Sequence, residues 1–176
     1  MATLWDVVPF ERCGPLEFGM TRDQTRAILG ADFDAYQKFQ GPTGLIDIYR
    51  DLGVFLFYDE NGGLRFVEVN MPCVPTYKGV RLATNGVANV LKAMTAIGEP
   101  PVEDFSAYRF DRLGIMLYVP DGERLELVSI ASRNEYEKVL NSIKRRAEKR
   151  AAQKGPPIAP PRMDWSTAVD DSGESN

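Results

Sequence analysis

The chain has 176 residues, 44% of them hydrophobic and 26% charged, with a formal charge of −4. That composition is globular, and the length suits one ordinary domain or two small modules sharing a core, which excludes a fibrous or wholly disordered chain. No apolar run approaches the roughly 18 residues of a membrane helix, and histidine is absent, which removes the commonest general base and the commonest neutral metal ligand.

Residues 1–15 read as an entry strand or arm, with Trp5, Val7, Val8 and Phe10 available for packing and Pro15 closing it. No basic segment followed by an apolar core is present there, so the expectation is no signal peptide and a cytoplasmic location. In Phe18-Gly-Met-Thr-Arg-Asp-Gln-Thr-Arg-Ala-Ile-Leu-Gly30, Thr21 and Gln24 have the spacing of a capping box. Ile28 and Leu29 end the apolar face of that short helix, and Gly30 is a natural stop. Residues 31–40 read as a second short helix or a loop. Strands are expected at 45–50, 54–59 and 64–71, with Gly53 and Asn61-Gly62-Gly63 in the turns.

A second helix follows, capped by Thr84 or Asn85. Val87, Val90, Leu91, Met94 and Ile97 recur at helical spacing, Gly98 stops the helix, and Pro100-Pro101 prevents its resumption. Strands at 107–111, 114–119 and 125–131 come next, with Gly114, Asp121 and Gly122 in the turns. A third helix begins near Asn134 with Tyr136, Val139, Leu140 and Ile143 on one face. Its apolar stripe gives way to the basic run 144–154, and 155–176 has the composition of a disordered tail.

One pattern organises these elements. Leu52-Gly-Val-Phe-Leu-Phe-Tyr58 recurs as Leu113-Gly-Ile-Met-Leu-Tyr-Val119, and apolar residues continue to match at an offset of 61 through Val69 and Ile130. Self-similarity at fixed spacing means one supersecondary unit used twice. The expected fold is α+β, two tandem units of helix plus antiparallel sheet, with the sheets continuous. Its parts are an arm and first unit (1–75), a second unit (76–133), a C-terminal helix (134–154) and the tail (155–176).

The Phe18–Gly30 motif resembles the Gly-Met-Thr helix opening of the small outer-membrane-assembly lipoprotein domains. It is also similar to the repeat of the β-lactamase inhibitor protein, which carries two such units in tandem. The match covers about residues 16–70, with a weaker echo at 82–131. Thr25 stands where valine is usual, the second unit reads Leu82-Ala-Thr-Asn85 in place of Gly-Met-Thr, and no lipobox is present. The resemblance implies a non-catalytic scaffold that grips another protein with the open face of its sheet. It also looks like the immunity partners of bacterial polymorphic toxins.

Strict alternation divides the strands into two faces. Val67, Val128, Val69 and Ile130 look like core, which leaves Phe66, Glu68, Asn70, Leu127 and Ser129 outward. Asp47, Tyr49, Phe55, Phe57, Tyr108, Phe110, Met116 and Tyr118 belong to one of the two faces. The expected partner-binding set is therefore Asp47, Tyr49, Phe66, Glu68, Asn70, Tyr108, Phe110, Tyr118 and Leu127. Burial of Phe55, Phe57 and Tyr118 beneath the N-terminal arm is the competing expectation.

The basic run is expected to be a solvated, fraying helix end rather than a nucleic-acid contact. Residues 1–143 hold 14 basic against 20 acidic residues, a balance that repels phosphate and suits a basic protein partner. Asp32/Asp34, Asp59/Glu60 and Glu103/Asp104 read as solvated surface rather than metal sites, and nothing recommends a cofactor. Cys13 and Cys73 are expected as buried free thiols. The function expected is that of an immunity protein occluding a toxin's active site. The alternative is a small-ligand binder or enzyme using a cleft between the two units.

Overall fold

The computed structural model describes residues 2–37, 44–83, 86–104, 106–122 and 124–153. The expected caps Thr84 and Asn85 and the expected tail 155–176 lie outside the described residues. In chain order the elements are β1 (Thr3–Val8), β2 (Arg12–Cys13), β3 (Leu16–Glu17), α1 (Arg22–Leu29), β4 (Asp34–Gln37), β5 (Leu45–Tyr49), β6 (Val54–Tyr58) and β7 (Leu64–Val69). There follow β8 (Cys73–Tyr77), β9 (Val80–Arg81), α2 (Val87–Ala96), β10 (Val102–Asp104), β11 (Ala107–Phe110), β12 (Ile115–Tyr118), β13 (Leu127–Ala131) and α3 (Arg133–Gln153). The class is α+β.

An eight-stranded sheet runs in the order β10-β11-β12-β13-β7-β6-β5-β4, antiparallel throughout. Each repeat supplies a helix followed by a four-stranded meander. The two meanders join at β7 and β13, where Glu68 stands opposite Ser129, its own equivalent 61 positions on. Val67 faces Ile130 and Val69 faces Val128 across the same joint, so the equivalents exchange partners as a local twofold axis requires. The expected cleft between the repeats does not exist at this boundary, because ladder hydrogen bonds occupy it.

The structure departs from expectation in three elements. Residues 34–37 form edge strand β4, paired to β5 from Asp34↔Ile48 to Gln37↔Leu45, where a helix or loop was expected. A second sheet, β3-β2-β1-β8-β9, contains a parallel pair, β1 with β8. Its strands come from the arm and from the link between repeats, so no local pattern announces the pairing. Finally, the residue that precedes α2 as its N-cap is Gly86, which supplies no side-chain cap.

One contiguous core joins Trp5, Val7 and Leu16 of the small sheet, Leu56, Val67, Leu117 and Ile130 of the large sheet, and Val90 and Met94 of α2. α1 is bounded as expected: Thr21 and Gln24 form the reciprocal capping box, and Gly30 takes φ +96°. Its buried residue, however, is Thr25, while Ile28 is exposed. No helix among the described residues is long and apolar enough to cross a membrane. Residues Met1–Leu140 form one compact unit, and a second begins at Asn141. α3 extends to Gln153, and 144–150 are solvent-exposed, as expected of a solvated helix end.

Candidate functional site

The register assigns every strand residue to a face. Toward α1 and α2 point Asp47, Tyr49, Val54, Leu56, Val67, Val69, Val128, Ile130, Ile115, Leu117, Tyr108 and Phe110, which oppose one another across successive ladders. The opposite, outer face reads as three rows. Tyr36, Ile46, Phe57 and Phe66 form the first. Ile48, Phe55, Glu68, Ser129, Met116 and Arg109 form the second, and Leu127, Tyr118 and Ala107 the third.

The outer face is rich in large side chains that a single core layer does not absorb. Phe57 and Phe66 meet edge to face, with ring centroids 5.5 Å apart, a geometry that fixes both rings. Phe55, Phe57, Phe66, Met116 and Leu127 are half-buried, and Tyr118 and Tyr36 are exposed. Glu68 lies between Phe55 and Ser129 near the local twofold axis. At the β10–β11 edge Arg109 is buried, donating to Asp104 at 2.7 Å and Asp111 at 3.1 Å. Tyr136 of α3 donates to the same Asp111 at 2.7 Å, so the first turn of α3 is tied to that edge.

Of the expected partner-binding set, Phe66, Glu68, Tyr118 and Leu127 lie together on the outer face. Asn70 continues the same alternation past β7, and its amide nitrogen, turned toward them, donates to the Gly53 and Met71 carbonyls at 3.2 Å each. Asp47, Tyr49, Tyr108 and Phe110 do not belong there. Asp47 opposes Leu56, Tyr49 opposes Val54, Tyr108 opposes Leu117 and Phe110 opposes Ile115. All four lie on the face covered by α1 and α2, and Asp47, Tyr49 and Phe110 are buried. The competing expectation of burial for Phe55, Phe57 and Tyr118 also fails, since Val54, Leu56 and Tyr58 take the inward positions of β6 and Ile115 and Leu117 those of β12, leaving the two phenylalanines half-buried and Tyr118 exposed. Missing from the expected set were exposed Tyr36 and half-buried Ile48, whereas Ile46 shares their face but is itself buried. The Tyr36↔Ile46 pairing becomes visible only once residues 34–37 are known to be a strand.

Asp47 has a different task. It accepts from Arg22 at 2.6 Å and 3.0 Å, from Arg26 at 2.9 Å and 3.0 Å, and from the Tyr58 hydroxyl at 3.3 Å. Burial by itself raises its pKa, but the guanidinium hydrogen bonds from Arg26 and Arg22 outweigh burial and hold the carboxyl below its ordinary value. Thr25 hydroxyl meets Tyr58 hydroxyl at 2.6 Å, closing the network under α1. Every buried side-chain polar atom among the described residues has a partner. This arrangement docks a helix on a sheet.

Cys13 and Cys73 are buried free thiols. Burial raises both pKa values, that of Cys73 to about 12, so neither supplies a thiolate at neutral pH. Among the described residues no group of three or more Cys, Asp or Glu side chains is placed to hold a metal ion. Comparison with protein families, curated proteins and solved structures finds no match to this chain.

Proposed function

We propose that this protein is a non-catalytic binding module, an immunity protein that inhibits a cognate bacterial toxin by covering its active site with the outer sheet face. The observation that carries this reading is the three-row array around Glu68, with the Phe57–Phe66 pair on one side and Tyr118–Leu127 on the other. Rigid aromatic anchors on a continuous sheet are the residue type and setting that dominate protein interfaces. The surplus of acidic residues over residues 1–143 supports a basic partner and a fast, salt-sensitive approach in the cytoplasm.

The test is affinity purification of the tagged chain from its native host, then surface plasmon resonance on the captured partner. Phe66→Ala and Tyr118→Ala are expected to weaken binding by about 2 kcal/mol each. Truncation after Lys154 leaves affinity unchanged, because that segment has no apolar pattern with which to dock. Association slows as salt rises. Loss of binding on truncation, with both aromatic variants unaffected, would place the interface elsewhere.

A further inference from the structure

A cavity of about 360 Å³ is built from residues that the proposed interface does not use. Its apolar wall is Phe10, Phe18 and Leu64, and beside it Gly19 has no atom within 4 Å of the place a Cβ would occupy. The polar wall holds three cations, Arg65, Arg133 and Lys138, and two carboxylates, Asp59 and Glu135. That volume falls within the range of small-molecule pockets, about 300–1,000 Å³.

The five charges are not equivalent. Glu135 accepts from Arg65 and, at 3.4 Å, from Lys138. Asp59 is occupied by its own turn, accepting from the backbone N–H groups of Asn61 and Gly63 at 2.9 Å each. Arg133 pairs with no carboxylate among the described residues. Its guanidinium instead lies over the Phe10 ring, 4.0 Å from the centroid. Phe10 is itself fixed, with φ +63°, its ring edge-on to Tyr136 at 6.1 Å and against Gly114, where an added Cβ would come within 2.6 Å. A guanidinium held on an aromatic face keeps its donor fork available to a planar oxyanion.

We propose that this cavity binds a small organic carboxylate with an apolar body, its carboxylate on Arg133 and its body against Phe10, Phe18 and Leu64. The charge count favours a monoanion, because three cations against two carboxylates leave a surplus of one. A phosphate dianion would bring a second negative charge toward Asp59 and Glu135 with nothing to balance it. This inference is independent of the outer sheet face and stands or falls without it.

The experiment is an amide-resolved NMR titration of the full chain with 3-phenylpropionate and, separately, with 3-phenylpropionamide. Saturable shifts are expected at Phe18, Gly19 and Asn134 with the acid, and binding at least about tenfold weaker with the amide. Arg133→Met should lose the acid by a similar factor while its remaining spectrum stays that of the folded chain. Tripeptides ending in Phe, with a free or an amidated carboxyl, separate the two sources of this chemistry. Binding of the free-carboxyl peptide assigns the cavity to a chain end, and binding of 3-phenylpropionate alone assigns it to a free molecule. No saturable shift with either acid up to about 10 mM, equal binding of acid and amide, or tighter binding of inorganic phosphate would overturn the proposal. The acid–amide comparison needs no variant, so it stands even if Arg133→Met misfolds.

Discussion

The two repeats dock their helices on the same sheet by different physics. Under α1, Asp47 gathers Arg22, Arg26 and Tyr58 into a buried ionic network, and Thr25 is the helix's one buried residue. In the second repeat the strand positions equivalent to Asp47, Tyr49 and Tyr58 are Tyr108, Phe110 and Val119, and the helix buries Val87, Val90 and Met94. A duplicated backbone therefore constrains hydrogen-bonded register and the direction of side chains but leaves the chemistry of the layer beneath open. A satisfied charge network and an apolar contact can fill equivalent space.

Breaking the network should be the larger insult. Asp47→Ala strands two guanidiniums against an apolar hole, and we expect a loss of roughly 4 kcal/mol, read by urea denaturation. In the second repeat Met94→Ala removes a fully buried side chain at roughly 3 kcal/mol, with a cavity rather than an unpaired charge as its cause. A loss below 1 kcal/mol for Asp47→Ala would mean that the arginines find water as readily as they find the carboxylate.

Acid should separate the two repeats further. The Asp47 pKa is depressed in the folded chain, so its stabilisation is complete above the ordinary carboxylate range near pH 4 and fades as pH falls through the folded value. Asp47→Ala should flatten that acid limb of the stability curve, whereas Met94→Ala should lower the whole curve and keep its slope. Parallel acid limbs in all three proteins would remove Asp47 as the source.

Helix capping gives the smallest contrast. Thr21→Ala deletes the side-chain half of the capping box and is expected to lose about 1 kcal/mol. At the start of α2, Gly86 has extended φ and offers no cap. Gly86→Ser is expected to gain a few tenths of a kcal/mol, measurable as a small rise in the denaturation midpoint. A gain in one and a loss in the other would show that only the first repeat enters its helix with a full set of bonds.

Much of this architecture was legible because it is local. The Thr21–Gln24 box, Gly30 and the strands flanking Gly53 and Gly114 depend on neighbours a few residues away, and each lies where expected. At Gly53 and Gly114 the requirement is twofold: φ is +67° and +66°, and a Cβ would collide with Asn70 in one case and with Phe10 in the other. The candidate site was half legible. Alternation separated Phe66 and Glu68 from Val67 and Val69 correctly, since the core valines of β7 anchor that strand's phase. For β5 and β11 no comparable anchor exists, because Leu45–Tyr49 and Ala107–Phe110 carry large or apolar residues on both faces. Asp47 in particular reads as surface until its partners are known.

The sequence by itself determined the duplication, the α+β class and where α1 and the central strands begin and end, because short-range turn and capping chemistry and a repeated pattern act along the chain. Only the tertiary structure decided that β1 runs parallel to β8, that residues 34–37 become an edge strand, and that Asp47 turns inward. Each of those outcomes rests on a contact between segments remote in sequence. Asp47 is buried only because Arg22 and Arg26, 25 and 21 residues earlier, arrive on a neighbouring helix turn to compensate its charge.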